Sequence, residues 1–106
     1  MSETLTQTGP LWRWQAEAGG SWHFLTVDGD GAHQVAAHEA QRRLELGRAR
    51  GSGSVKVRAR CGASEWQTSL FPSKEHAGYL LPVKKSVRTA EGVAAGDEMT
   101  VHLTLV

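Results

Sequence analysis

The stretch that decides the fold is Gly78-Tyr79-Leu80-Leu81-Pro82-Val83-Lys84-Lys85-Ser86-Val87-Arg88-Thr89-Ala90-Glu91-Gly92-Val93-Ala94-Ala95-Gly96-Asp97-Glu98-Met99-Thr100-Val101. It reads as a strand, a proline, one short helix, a glycine stop, a Gly-Asp turn and a strand. Pro82 suits the first turn of a helix, where a missing N–H costs nothing. Val83, Val87 and Ala90 fall at i, i+4 and i+7, on one helical face. Gly92 stands where a left-handed residue would end the helix, with Val93 as the apolar residue just beyond. Gly96-Asp97 then turns the chain into a closing strand, Glu98 to Val106. There Met99, Val101, Leu103 and Leu105 alternate with Thr100, His102 and Thr104.

Outward from this unit, the rest reads as strands and one longer helix. Residues 1–8 are polar and unpatterned, as expected of a flexible tail. Residues 9–106 are expected to form a single β-barrel domain. From Leu11 to Ala18 the side chains alternate, Trp12, Trp14, Ala16 and Ala18 on one face and Leu11, Arg13, Gln15 and Glu17 on the other. Gly19-Gly20 turns this strand into a partner from Ser21 to Val27. Asp28-Gly29-Asp30-Gly31 breaks the hairpin, and a helix is expected over residues 32–46. Its apolar stripe, Val35, Ala36, Ala40 and Leu44, is thin. Val55, Val57, Ala59 and Cys61 alternate with Ser54, Lys56, Arg58 and Arg60, and Gly62-Ala63 leads into a partner strand from Glu65 to Phe71. The fold class is mainly β. The expectation is a small closed six-stranded barrel, with one α-helix after the second strand and a short helix before the last. A chain of 106 residues cannot cover both faces of an open sheet with helices.

Composition bounds function more than it defines it. The net charge is +1 and the pI about 8.0. The charge is uneven: residues 1–41 carry one basic and five acidic side chains, residues 42–60 seven and one, residues 61–106 four and five. An anionic partner would be sought in the middle block. One cysteine excludes an internal disulfide and fits a reducing compartment. The first residues have neither the basic region nor the apolar core of a signal peptide. No apolar run is long enough to span a membrane. A bacterial-style cytoplasmic protein is the expected class.

Three blocks together carry a family resemblance: Gly51-Ser52-Gly53-Ser54-Val55-Lys56-Val57, then Trp66-Gln67-Thr68-Ser69-Leu70-Phe71-Pro72, then Tyr79-Leu80-Leu81-Pro82-Val83-Lys84 running into Val87-Arg88 and Gly96-Asp97. From Trp12 to Leu105 the chain resembles the bacterial family catalogued as domain of unknown function nineteen-oh-five. The resemblance implies a double-split β-barrel, the fold class of AbrB- and MazE-type DNA-binding proteins, and carries no biochemical activity with it. Residues 11–71 would supply the strands that an AbrB-type protein obtains from a second subunit, so a monomer is expected rather than a dimer.

The four tryptophans, Trp12, Trp14, Trp22 and Trp66, come from three strands. They would fill the core or line a pocket for a small ligand, and core packing is favoured, because Trp12 and Trp14 share a face with Ala16 and Ala18. Ligand-binding candidates are Trp12, Trp14, Lys56, Trp66, Lys84 and Arg88. The basic, glycine-rich segment Arg48, Arg50, Gly51 and Gly53 is a candidate anion-binding loop, because phosphates and carboxylates take Arg forks and free backbone N–H groups. It is not a Walker loop, since no Gly-Lys-Ser/Thr follows at the required spacing. Asp28-Gly29-Asp30 with Glu39 imitates an EF-hand but lacks the central glycine, where His33 stands. His33 and His38 are five apart, on different helical faces, so no metal is expected. Cys61 on an apolar face reads as a small hydrophobe. No catalytic residue and no cofactor is expected. The reading is a non-catalytic binding module for a small anionic or aromatic ligand or a protein partner. An AbrB-like DNA-binding protein is the first alternative, weakened by the low net charge, and an enzyme of unnamed reaction the second.

Overall fold

The computed structural model describes residues 3–47 and 53–106. They form seven strands and two helices: β1 (Glu3–Pro10), β2 (Trp12–Gln15), β3 (Ser21–Val27), α1 (Gly29–Leu46), β4 (Val55–Cys61), β5 (Ser64–Ser73), β6 (Gly78–Pro82), α2 (Lys85–Glu91) and β7 (Glu98–Leu105). The strands make one antiparallel sheet in the order β1-β7-β4-β5-β6-β3-β2. The sheet curls into a half-barrel until β1 touches β3 without pairing to it. The expected closed six-stranded barrel is therefore not what forms. There is one strand more, and the two edges of the curled sheet are not hydrogen-bonded together.

The extra strand is β1. Residues 3–8, expected as a tail, belong to it, paired along their length with β7 from Glu3 opposite Leu105 to Thr8 opposite Thr100. Of its eight residues only Leu5 is buried. Side-chain pairs across the ladder, Thr6 with His102 Nδ1 at 3.0 Å and Thr8 with Thr100 at 2.8 Å, are polar. Such a strand is held by backbone pairing and polar cross-strand contacts rather than by an apolar face.

Leu11 joins the two edge strands and is completely buried. Its N–H donates to Asp97 O and its carbonyl accepts from Gly96 N–H, each at 2.8 Å. The turn before β7 is thus fastened to the point where the chain crosses from one edge of the sheet to the other. Inside the curl, Leu25, Val27, Val57, Leu70, Leu81, Val101 and Leu103 are all but inaccessible to solvent. The row Val55, Val57, Ala59 and Cys61 faces inward as the alternation requires.

The last third folds largely as its pattern dictates. Gly92 has φ 64°, its N–H donates to Thr89 O, and the Val93 N–H donates to Arg88 O at 3.0 Å. Those two bonds are a Schellman cap. Val83 and Val87 are buried, whereas Ala90, the third member of the expected stripe, is exposed. Pro82 does not open α2. It ends β6, opposite Phe24, and α2 begins at Lys85. A proline at a strand end sacrifices no ladder bond.

Helix α1 is anchored by its first half. Ala32 and Val35 are buried, Gln34 Nε2 donates to Thr4 O at 2.9 Å, and His38 Nε2 lies 3.2 Å from Val106 O. From Ala40 to Gly47 every residue is exposed, and Leu44 is 84% accessible. Arg43 Nη2, which donates to both carboxylate oxygens of Glu39 at 2.7 Å, four residues apart, supports this second half. No helix among the described residues is long and apolar enough to cross a membrane.

Candidate functional site

The outer face of the half-barrel is divided. Over β1, β7 and β4 it carries Thr4, Thr6, Thr8, Thr100, His102 and Thr104 with the row Lys56, Arg58, Arg60. Over β2, β3, β6 and the far end of β5 it is aromatic. Trp12 lies opposite Phe24 and Trp14 opposite Trp22 on one face of the β2–β3 hairpin. Phe71 and Leu80, opposite each other on β5 and β6, continue that face. These six side chains, with Ser73, Glu75 and His76, line a groove of about 400 Å³.

The expected inward face of the first hairpin is the reverse of the one found. Trp14 is 49% and Trp22 55% accessible, and Trp12 is half-buried. Leu11, Leu25 and Val27 took the inner positions. Branched aliphatic side chains fill a small barrel without polar atoms. An indole N–H must find a partner when buried. Only Trp66 is a core residue, at 5% accessibility, and its Nε1–H donates to Pro82 O at 3.3 Å.

The groove is ordered by its own contacts. Trp12 Nε1–H donates to Thr26 Oγ1 at 2.9 Å. The Trp12 ring stacks on His76 at 4.7 Å between centroids and meets Phe24 at 5.1 Å, tilted by 44°. His76 is held in turn, its Nδ1 3.0 Å from Ser73 Oγ. Trp22 and Phe24 stand side by side, 6.1 Å apart and within 6° of parallel. Trp12 and Phe24 are thus braced, and Trp14 and Trp22, the next pair along the same face, are about half accessible.

A second pocket of about 390 Å³ adjoins the groove, with Trp22 in the wall of both. It lies between the start of β3, β5 and α2. Lys84, Lys85 and Arg88 line it, as do His23, Gln67 and Thr68. Among the described residues none of the three cations pairs with a carboxylate. Arg88 is fixed by Nε–H donating to Val83 O at 3.2 Å, and its Nη1 lies 3.4 Å from His23 Nε2. Burial first, then the charges of Arg88 and Arg13, lower the His23 pKa below its ordinary value. His23 Nδ1 is buried without a hydrogen-bond partner among the described residues.

The expected site residues are therefore distributed. Trp12 and Trp14 belong to the aromatic groove; Trp66, Lys84 and Arg88 belong to the second pocket. Lys56 lies in a third shallow groove on β4 and β5 that shares Phe71 with the first and Gln67 and Thr68 with the second. Arg48, Arg50 and Gly51 of the expected anion loop lie outside the described residues. Gly53 has φ 73° and sits near Pro72. Sequence reasoning missed His23, Phe24, Phe71 and His76. The signal for Phe24 and Phe71 was an apolar residue on the outward parity of a strand whose other parity was already apolar.

Elsewhere, the Cys61 thiol is buried, and burial with the nearby Glu91 carboxylate pushes its pKa up, away from a reactive thiolate. Ser64 Oγ–H donates to Glu91 Oε2 at 2.6 Å, tying α2 to the β4–β5 turn. No group of three His, Cys, Asp or Glu side chains among the described residues is arranged to hold a metal ion.

Residues 8–103 match the family model described as Domain of unknown function (DUF1905), and the chain belongs to that family. No curated protein matches it.

Proposed function

We propose that this chain is a non-catalytic binding module and that a small molecule with a flat, weakly polar face seats in the groove over β2, β3, β5 and β6. The observation that carries this is the placement of Trp14 and Trp22, opposite each other and about half accessible, beside the braced Trp12–Phe24 pair on one face of the hairpin. Exposed apolar surface gathered in one concave patch and rimmed by polar groups is what a ligand or partner covers. Stacking on such rings contributes about 0.5–1.5 kcal/mol per pair beyond buried area. Intrinsic tryptophan fluorescence and thermal shift against a panel of aromatic metabolites test the reading. Saturable quenching that Trp14→Ala and Trp22→Ala each remove supports it. A panel with no fluorescence change and no thermal shift refutes it.

The row Lys56, Arg58, Arg60, exposed and without ion pairs among the described residues, favours a second reading as a phosphate-backbone binder of DNA. A mobility-shift assay at low salt decides it: no retarded duplex at 50 mM salt removes that reading.

A further inference from the structure

The second pocket deepens the reading of the aromatic groove and rests on it. Positive charge gathered in a concave site with no carboxylate to balance it favours an anion from solution. Lys84, Lys85 and Arg88 form such a gathering, and no Glu or Asp among the described residues lines the pocket. Arg88 is also pre-oriented, because the Val83 carbonyl holds its Nε–H. A guanidinium fixed through one edge keeps its remaining donors in a defined fork.

His23 holds the same guanidinium at a second point. An arginine only donates, so the Arg88 Nη1 contact makes His23 Nε2 the acceptor. In the neutral ring the proton then resides on Nδ1, and Nδ1 is the buried atom that has no hydrogen-bond partner among the described residues. Trp22 forms the wall between this pocket and the aromatic groove. A ligand lying over Trp14 and Trp22 can therefore reach Arg88 and Lys84 with a substituent on its ring.

We propose that the pocket formed by His23, Lys84, Lys85 and Arg88 is an anion subsite, and that the ligand of this protein is an aromatic anion whose ring lies on Trp14 and Trp22 and whose carboxylate or phosphate enters the pocket. Bonds between an anion and charged donors make the charged compound bind about tenfold or more tighter than its neutral isostere.

Calorimetric titration of the full chain tests this with four probes: 2-naphthoate, 2-naphthyl phosphate, neutral 2-naphthamide and inorganic phosphate. One or both naphthyl anions are expected to bind at least tenfold more tightly than the amide, and the tighter of the two identifies the anion. Arg88→Gln is expected to remove that advantage. Lys84→Gln, on an exposed side chain with no bond to α2, is expected to reduce it without touching the fold. Equal affinity of amide and anions, or an anion advantage intact in both variants, overturns the subsite while leaving the groove in place. Phosphate binding lost in Arg88→Gln without any naphthyl binding upholds the subsite as an anion site and overturns the groove. No binding by any probe overturns both.

Discussion

Gly62 is the position where one added methyl group tests how α2 is attached to the sheet. Its φ is 57°, and a Cβ there would collide with the Glu91 carboxylate. Alanine in the left-handed region costs about 1–2 kcal/mol, of which roughly 0.4–1 kcal/mol is returned by the stiffer unfolded chain. The carboxylate could swing away, but it accepts the Ser64 hydroxyl at 2.6 Å. Losing that charge-assisted bond costs about 1.5–3 kcal/mol. Gly62→Ala should therefore destabilise the protein by about 2–4 kcal/mol. In a Glu91→Ala background the collision and the bond are both gone, and Gly62→Ala should cost only about 1 kcal/mol. Urea unfolding of the four proteins, followed by circular dichroism, gives the coupling energy directly. A coupling above about 1 kcal/mol is expected. Additivity within about 0.5 kcal/mol would falsify the account of Glu91 as the clamp between α2 and the β4–β5 turn.

Other expectations follow from the same geometry. Gly78→Ala should destabilise by at least about 2 kcal/mol, because its Cβ would meet the Val27 carbonyl of the backbone, which cannot rotate aside; thermal unfolding measures it, and an unchanged Tm contradicts the close β3–β6 approach. Trp66→Ala should cost about 3–5 kcal/mol while Trp22→Ala costs less than about 1 kcal/mol; equal losses would mean that Trp22 is a core residue. The lowered His23 pKa gives stability a pH dependence of known sign. The folded protein binds fewer protons than the unfolded chain between the lowered pKa and the ordinary 6.5, so stability is fully present above 6.5 and falls as pH drops below it. A Tm series from pH 8 to 5 should show that fall, reduced in His23→Gln; an identical slope in the variant assigns it to other groups.

Much of this was legible in the residues. The alternation of Val55 to Cys61 fixed an inward face because only one parity was apolar. Gly92 with Val93 announced the end of α2 because few residues other than glycine take that backbone angle readily. Strand β1 was hidden because it buries one side chain and is held by backbone pairing to a partner almost a hundred residues away. No local pattern records such a partner. The faces of the first hairpin are exchanged relative to its alternation because indoles and aliphatic side chains compete for one interior, and Leu11, which helps to fill it, lies outside β2. That exchange bears on the site. Rings assigned to the core are the rings that stand in solvent. The basic partners Lys84 and Arg88 were visible as charges near a short helix, but their adjacency to Trp22 depends on sheet curl, which sequence spacing does not encode.

The pairing of β1 with β7 also sets a timetable. The first strand of the described chain is bonded to the last, Glu3 opposite Leu105. As the polypeptide leaves the ribosome, β1 can have no native strand partner until β7 has emerged and docked on β4. A loop spanning nearly the whole domain must close before that ladder forms, which makes assembly slow relative to chains dominated by local contacts. Its few apolar side chains then serve a purpose during the wait. A strand with three threonines, a glutamate and a glutamine stays solvated instead of seeking company, while a hydrophobic one would template on its neighbours in the polysome.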